Sequence, residues 1–126
     1  MEVKKRSRTQ KYDIEERLID FAIDVIDILE KLPNSRVGNH IANQLVRSGT
    51  APAANYGEAQ SAESRNDFIH KVRLSLKELR ETGVWLVIIQ RKSLIKQANM
   101  VSKVLRENCE LIAILAASIR TAKERK

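Results

Sequence analysis

From Ile14 to Leu32, the residues Ile14, Leu18, Phe21, Val25, Ile28 and Leu32 step by 4, 3, 4, 3 and 4. Strand alternation does not produce that spacing. It marks one face of an α-helix that has to bury itself against other helices. Asp13 stands just before the run as a cap, and Pro33 with Asn34 and Ser35 closes it, because proline cannot continue a helix. Ser35 is then placed to cap a second helix. Beside the first line, Ile19, Ala22, Ile23, Ile26 and Leu29 widen the apolar arc beyond what one seam needs. The expectation is a helix with two partners, its own bundle and a neighbouring subunit.

The helical period recurs three times. A second segment, from about Arg36 to Ala62, carries Val37, Ile41, Leu45 and Ser48 on its inner line. A third starts near Asn66 with Phe68, Val72, Leu76, Leu79, Gly83 and Leu86. A fourth runs from about Asn99 to Arg120 with Val101, Leu105, Asn108, Ile112, Leu115 and Ile119. Aromatic residues make up only 4% of the chain, so its core has to be aliphatic, the usual material of helix bundles. The 126 residues suffice for one domain, burying roughly two-thirds of their unfolded surface. Short connections make neighbours antiparallel, so the expected fold is an all-α, up-down-up-down four-helix bundle. Ser93 to Met100 reads as the longest internal loop, made basic by Arg91, Lys92 and Lys96.

The net charge of +7 is unevenly spread. Residues 1–11 hold Lys4, Lys5, Arg6, Arg8 and Lys11 against Glu2, and residues 120–126 hold Arg120, Lys123, Arg125 and Lys126 against Glu124. Between them, basic and acidic residues balance. This divides the chain into a basic arm (1–11), a bundle (12–119) and a basic tail (120–126). Such ends could meet phosphates by counterion release, or simply aid solubility. Cys109 is the only cysteine, which rules out a disulfide within one chain, a Cys-rich zinc site and a CxxC pair, and fits a reducing cytoplasm. Tyr12, Asp13, Glu15 and Glu16 follow the basic arm where a signal peptide would be apolar. The longest apolar run, Val84 to Ile89, is six residues, against the ~20 a membrane span needs. A soluble protein that does not enter a membrane is expected.

One stretch departs from strong helix: RSGTAPAANYGEA, Arg47 to Ala59. Pro52 inside a helix costs about 3 kcal/mol and predicts a kink. Gly49 and Gly57 add roughly 1 kcal/mol each relative to Ala. Close approach of a partner backbone would offset this. Continuing the inner line turns Asn55 toward the core with Glu58 one turn on, and Ser75, Glu78 and Thr82 of the third helix are candidate partners.

The run from Arg47 to Leu86 resembles the 23S rRNA intervening-sequence proteins. Their hallmark is a small-residue segment leading into Asn-x-x-Glu-Gly, then an Asp-Phe pair and a Ser-Leu-x-Glu segment. These match Pro52 and its small neighbours, Asn55 and Glu58, Asp67 and Phe68, and Ser75, Leu76 and Glu78. The chain departs from that pattern with Tyr56-Gly57 and with Ala59 where the family usually has Gly. The resemblance implies a cytoplasmic, non-enzymatic bundle assembled into a ring, a homopentamer. It also implies likeness to the accessory proteins of diversity-generating retroelements, basic pentamers that bind nucleic acid and a reverse transcriptase.

Catalytic chemistry finds no footing in the sequence. Asp67 and His70 have the spacing of half a di-iron motif, but the facing carboxylates and second half are missing. No phosphate-binding, zinc-protease or nucleophile-elbow motif occurs, and Cys109 reads as a packing residue. No catalytic residue, metal site or cofactor is expected. Trp85 reads as core or subunit packing rather than a base-stacking platform. Two functions remain. One is an oligomeric RNA- or DNA-binding accessory protein using the basic ends and Arg65, Lys71, Arg73, Lys77 and Arg80. The other is an oligomeric protein-interaction scaffold that binds no nucleic acid.

Overall fold

Asp13 accepts a hydrogen bond from the amide of Glu16 at 3.2 Å and starts the first helix, α1 (Ile14–Leu29). Ser35 does the same for Gly38 at 3.0 Å and opens α2 (Arg36–Gln60). Ser64 caps α3 (Arg65–Lys92) through the amide of Asp67 at 3.1 Å. The fourth helix, α4 (Ala98–Glu124), begins without a side-chain cap. The computed structural model describes residues 13–125, and in them it contains these four helices and no strand. The longest connection is Glu30 to Ser35, not the basic one, because α4 already begins at Ala98. Ser93 ends α3 at φ 53°, and the amide of Leu94 turns back onto Ile89 O at 3.0 Å, a left-handed helix stop.

Each helix packs on the next, and α1 closes the bundle against α4, leaving α1 and α3 across the core from each other. The core is aliphatic apart from Phe21 and Tyr56, with Leu18, Val25, Leu45, Leu79, Leu86, Leu111 and Leu115 wholly buried. Each such side chain contributes about 1.5–3 kcal/mol by leaving water. The seam expected in α1 is present from Leu18 to Ile28, with Ile14 and Leu32 half-buried at its ends. Its second strip divides: Ala22 is buried, Ile26 and Leu29 are half-buried, and Ile19 and Ile23 face solvent.

Helix α2 runs unbroken through Pro52, and the small residues earn their place there. A Cβ on Gly49 would lie 2.5 Å from Val25 Cγ1, so only glycine lets α1 come this close. The inner line of α2 continues through Ser48, Pro52, Tyr56 and Ala59. Asn55 is half-buried and Glu58 is exposed, contrary to the expected inward turn. The reason is periodic: repeated three-residue steps fall short of a 3.6-residue turn, and the line drifts off the core face. In α4 the steps are even, but the line falls one residue late at two turns: Val104 and Leu111 are buried while Leu105 and Ile112 are half-buried. In α3, Ile69 and Thr82 take the buried places expected of Phe68 and Gly83, and Val37 of α2 is exposed.

Candidate nucleic-acid interface

Charges on α3 are sorted by side. Toward α2, Glu78 and Glu81 face Arg47, which bonds Glu78 at 2.9 Å and also pairs with Glu81. Glu81 in addition accepts from Trp85 Nε1 at 3.1 Å, and His40 stands edge-on to that indole at 5.8 Å. Lower on this face, Lys71 of α3 pairs with Glu58 of α2 at 2.9 Å. Beneath the ion pairs lies a buried polar seam: Ser75 donates to Pro52 O at 2.8 Å, and the hydroxyls of Thr82 and Ser48 meet at 3.0 Å. Across the bundle, Arg17 of α1 bonds Glu107 of α4 at 2.6 Å. The Arg17 and Arg47 guanidiniums and the Lys71 ammonium are held above their ordinary values, foremost by hydrogen bonds to Glu107, Glu78 and Glu58.

The opposite side of α3 is different. Arg73, Lys77, Arg80, Val84, Val87 and Arg91 step by 4, 3, 4, 3 and 4 along one line, and all but the half-buried Val87 are exposed. Arg73, Lys77, Arg80 and Arg91 make no ion pair with another described residue. Glu78 and Glu81 are therefore committed to α2, leaving the outer edge of α3 cationic with an apolar upper half. Such an edge matches a phosphate backbone, which binds by charge and carries no sequence information of its own.

The residues expected at the interface divide in three. Lys4, Lys5, Arg6, Arg8, Lys11 and Lys126 lie outside the described residues. Arg120 and Lys123 are exposed on the last turns of α4, and Arg125 follows the helix beside Arg65 and Phe68. Of the α3 cations, Arg73, Lys77 and Arg80 stand on the open edge while Lys71 is spent on Glu58. Reading charges in order along the chain missed Arg91, which appeared to belong to a loop; it joins the edge because α3 extends to Lys92. The motif residues gather mainly on the α2–α3 seam. Pro52 and Ser75 are buried, Glu78 holds Arg47, Glu58 holds Lys71, and Asp67 and Phe68 are half-buried at the start of α3. The polar partners of the seam are Ser48, Pro52 O and Arg47, where Asn55 and Glu58 were expected.

Cys109 is exposed rather than packed in the core. It lines a groove between α3 and α4 with Leu105, Ile112, Val84 and Ile88. Among the described residues no three His, Cys, Asp or Glu side chains are grouped to hold a metal ion, and no helix is long and apolar enough to cross a membrane.

The model of the 23S rRNA-intervening sequence protein family matches residues 10–117 of this chain. A solved structure of a protein of unknown function from the S23 ribosomal protein family of Bacteroides thetaiotaomicron shares its fold, with a TM-score of 0.77. The two are 30% identical, over 84% of this chain and 97% of the other. No curated protein matches.

Proposed function

Because this chain belongs to the 23S rRNA-intervening sequence protein family, we propose that it is a non-enzymatic, homo-oligomeric accessory protein that associates with RNA or DNA in the cytoplasm. The observation that carries the reading is the cationic edge of α3, whose Arg73, Lys77 and Arg80 have no acidic partner among the described residues while Arg17, Arg47 and Lys71 are each neutralised. The basic ends, with Lys4, Lys5, Arg6, Arg8 and Lys11 before the bundle and Arg120, Lys123, Arg125 and Lys126 at its close, add phosphate contacts to that edge. Neither catalytic group nor cofactor belongs to this reading.

The bundle is read as antiparallel throughout. Along α2 the partner positions rise through 48, 52 and 58 while on α3 they fall through 82, 75 and 71. Arg17 meets Glu107 while Asp24 lines a cleft with Lys103 and Met100, which supports the same sense for α1 and α4. A bend at Pro52 follows from the amide it lacks. Self-association runs through the open apolar strip of α1, where Ile19 and Ile23 are 38% and 51% exposed. The family likeness makes a five-membered ring the assembly to test, with a reverse transcriptase as one protein partner. A ring repeats the edge on every subunit, so weak contacts add by avidity.

The test is fluorescence anisotropy of a labelled structured RNA and a matched DNA duplex across a salt series, with the full-length protein and its Arg73→Gln/Lys77→Gln/Arg80→Gln variant. Each lost phosphate contact lowers the slope of log K against log salt by about 0.7–0.9, so the triple variant loses roughly 2–3 units. An unchanged slope moves binding away from α3. Absence of binding at about 50 mM salt overturns the reading and leaves a ring that serves protein partners alone.

A further inference from the structure

The groove between α3 and α4 has a volume of about 490 Å³ and is walled by Val84, Val87, Ile88, Leu105 and Ile112. That volume falls within the range of small-ligand sites, roughly 300–1,000 Å³. Asn108 also lines it; the residue is 2% exposed, and its Oδ1 is buried without a hydrogen-bond partner. A leucine of similar size would fill that place without an unmet acceptor. Gly83 makes room for the amide, since a Cβ there would fall 2.7 Å from Asn108 Nδ2. Two locally unfavourable choices, a glycine within a helix and an unpartnered amide, thus converge on one spot. The mouth is flanked by Arg80 and Arg91, eleven residues and about 16 Å apart along the helix.

We propose that this groove takes one unstacked base of a single-stranded nucleic acid, with its edge on the Asn108 carboxamide and phosphates of the strand on either side of it at Arg80 and Arg91. The proposal rests on the nucleic-acid reading above and specifies the form of polymer. Each feature matches one part of a nucleotide. The aliphatic walls cover the faces of the base, the carboxamide offers the donor and acceptor that a base edge complements, and the two guanidiniums meet phosphates. A purely apolar ligand leaves Asn108 unmet. A duplex keeps its bases stacked and paired, out of reach of the groove.

Cys109 lines the groove and is the only cysteine, so its reactivity reports occupancy in the native full-length chain. The probe is a mixed-sequence single-stranded oligonucleotide with a central 2-aminopurine, and its duplex is the control. With free oligonucleotide at about ten times its Kd, alkylation of Cys109 by N-ethylmaleimide should slow about tenfold, and 2-aminopurine emission should rise as the base unstacks. The duplex should bind by anisotropy and do neither. Asn108→Leu removes the unmet acceptor and should keep the fold and the salt-sensitive association while losing the emission change. Val84→Gln, at a position 59% exposed, should likewise lose the emission change without altering the charge of the edge. If the single strand binds with neither protection nor an emission change, or if the duplex protects Cys109 equally, the groove proposal fails while phosphate binding by α3 stands. If neither polymer binds, the reading of α3 fails as well, and the groove proposal falls with it.

Discussion

At the scale of single residues, the two hydroxyls between α2 and α3 carry the sharpest consequence. Thr82 has one proton and lies 3.0 Å from Ser48 Oγ and 2.8 Å from Glu78 O; when it donates to the carbonyl, Ser48 must supply the proton between the hydroxyls. Both residues are wholly buried. Thr82→Val strands the serine and is expected to cost about 1–3 kcal/mol, whereas adding Ser48→Ala removes the stranded group and recovers part of the loss. Thermal unfolding of both single variants and the double variant measures this; strictly additive effects would contradict the pairing. Asp24 behaves differently. Its carboxyl is pushed above the ordinary 3.8, mainly by burial, with Asp27 and Glu107 adding to the rise and Lys103 opposing it. A raised carboxyl stabilises the folded chain while protonated and loses that contribution as pH climbs through the folded value. Asp24→Asn should therefore raise the Tm at neutral pH, and the gain should vanish once the pH falls below the ordinary carboxylate value.

At the scale of helices, two backbone positions hold the wrong residue for local stability. Gly57 lies in α2, where an added Cβ meets nothing within 4 Å, while Ser93 occupies a left-handed stop that glycine favours. Gly57→Ala and Ser93→Gly should each stabilise by about 0.5–1 kcal/mol, read from denaturant midpoints at unchanged m. Loss of stability from Gly57→Ala would mean that a partner presses on that position. This open glycine also shows what the sequence conveyed. The α1 seam was legible because its regular line fell on Leu18, Phe21, Val25 and Ile28, whereas in α4 an equally regular line had the adjacent apolar pairs Val104/Leu105 and Leu111/Ile112 to choose between and took the outer member of each. In α2 the line slipped after Ser48, since Pro52 reads as a breaker and Tyr56 as a departure, and both proved to be core. The seam partners were legible as residue types in Ser75 and Thr82, but which groups they meet depends on helix rotation that no single helix encodes. In the same way, the open edge of α3 was visible as scattered cations, and only the register against α2 showed which are neutralised.

At the scale of the whole molecule, Ile19 and Ile23 form an apolar strip that the bundle itself leaves uncovered. Ile23→Glu is expected to leave the monomer folded and to lower the oligomer mass in light scattering after gel filtration; an unchanged mass would place self-association elsewhere. The arrangement of charge has a consequence of its own. Within α1, five acidic residues stand against Arg17 alone, and α1 lies diagonally across the core from α3, whose outer edge is cationic. Among the described residues, charge is therefore polarised along that diagonal. In the field of a polyanion that polarity turns the cationic edge of α3 toward contact. Added salt should then slow its arrival as well as weaken its hold.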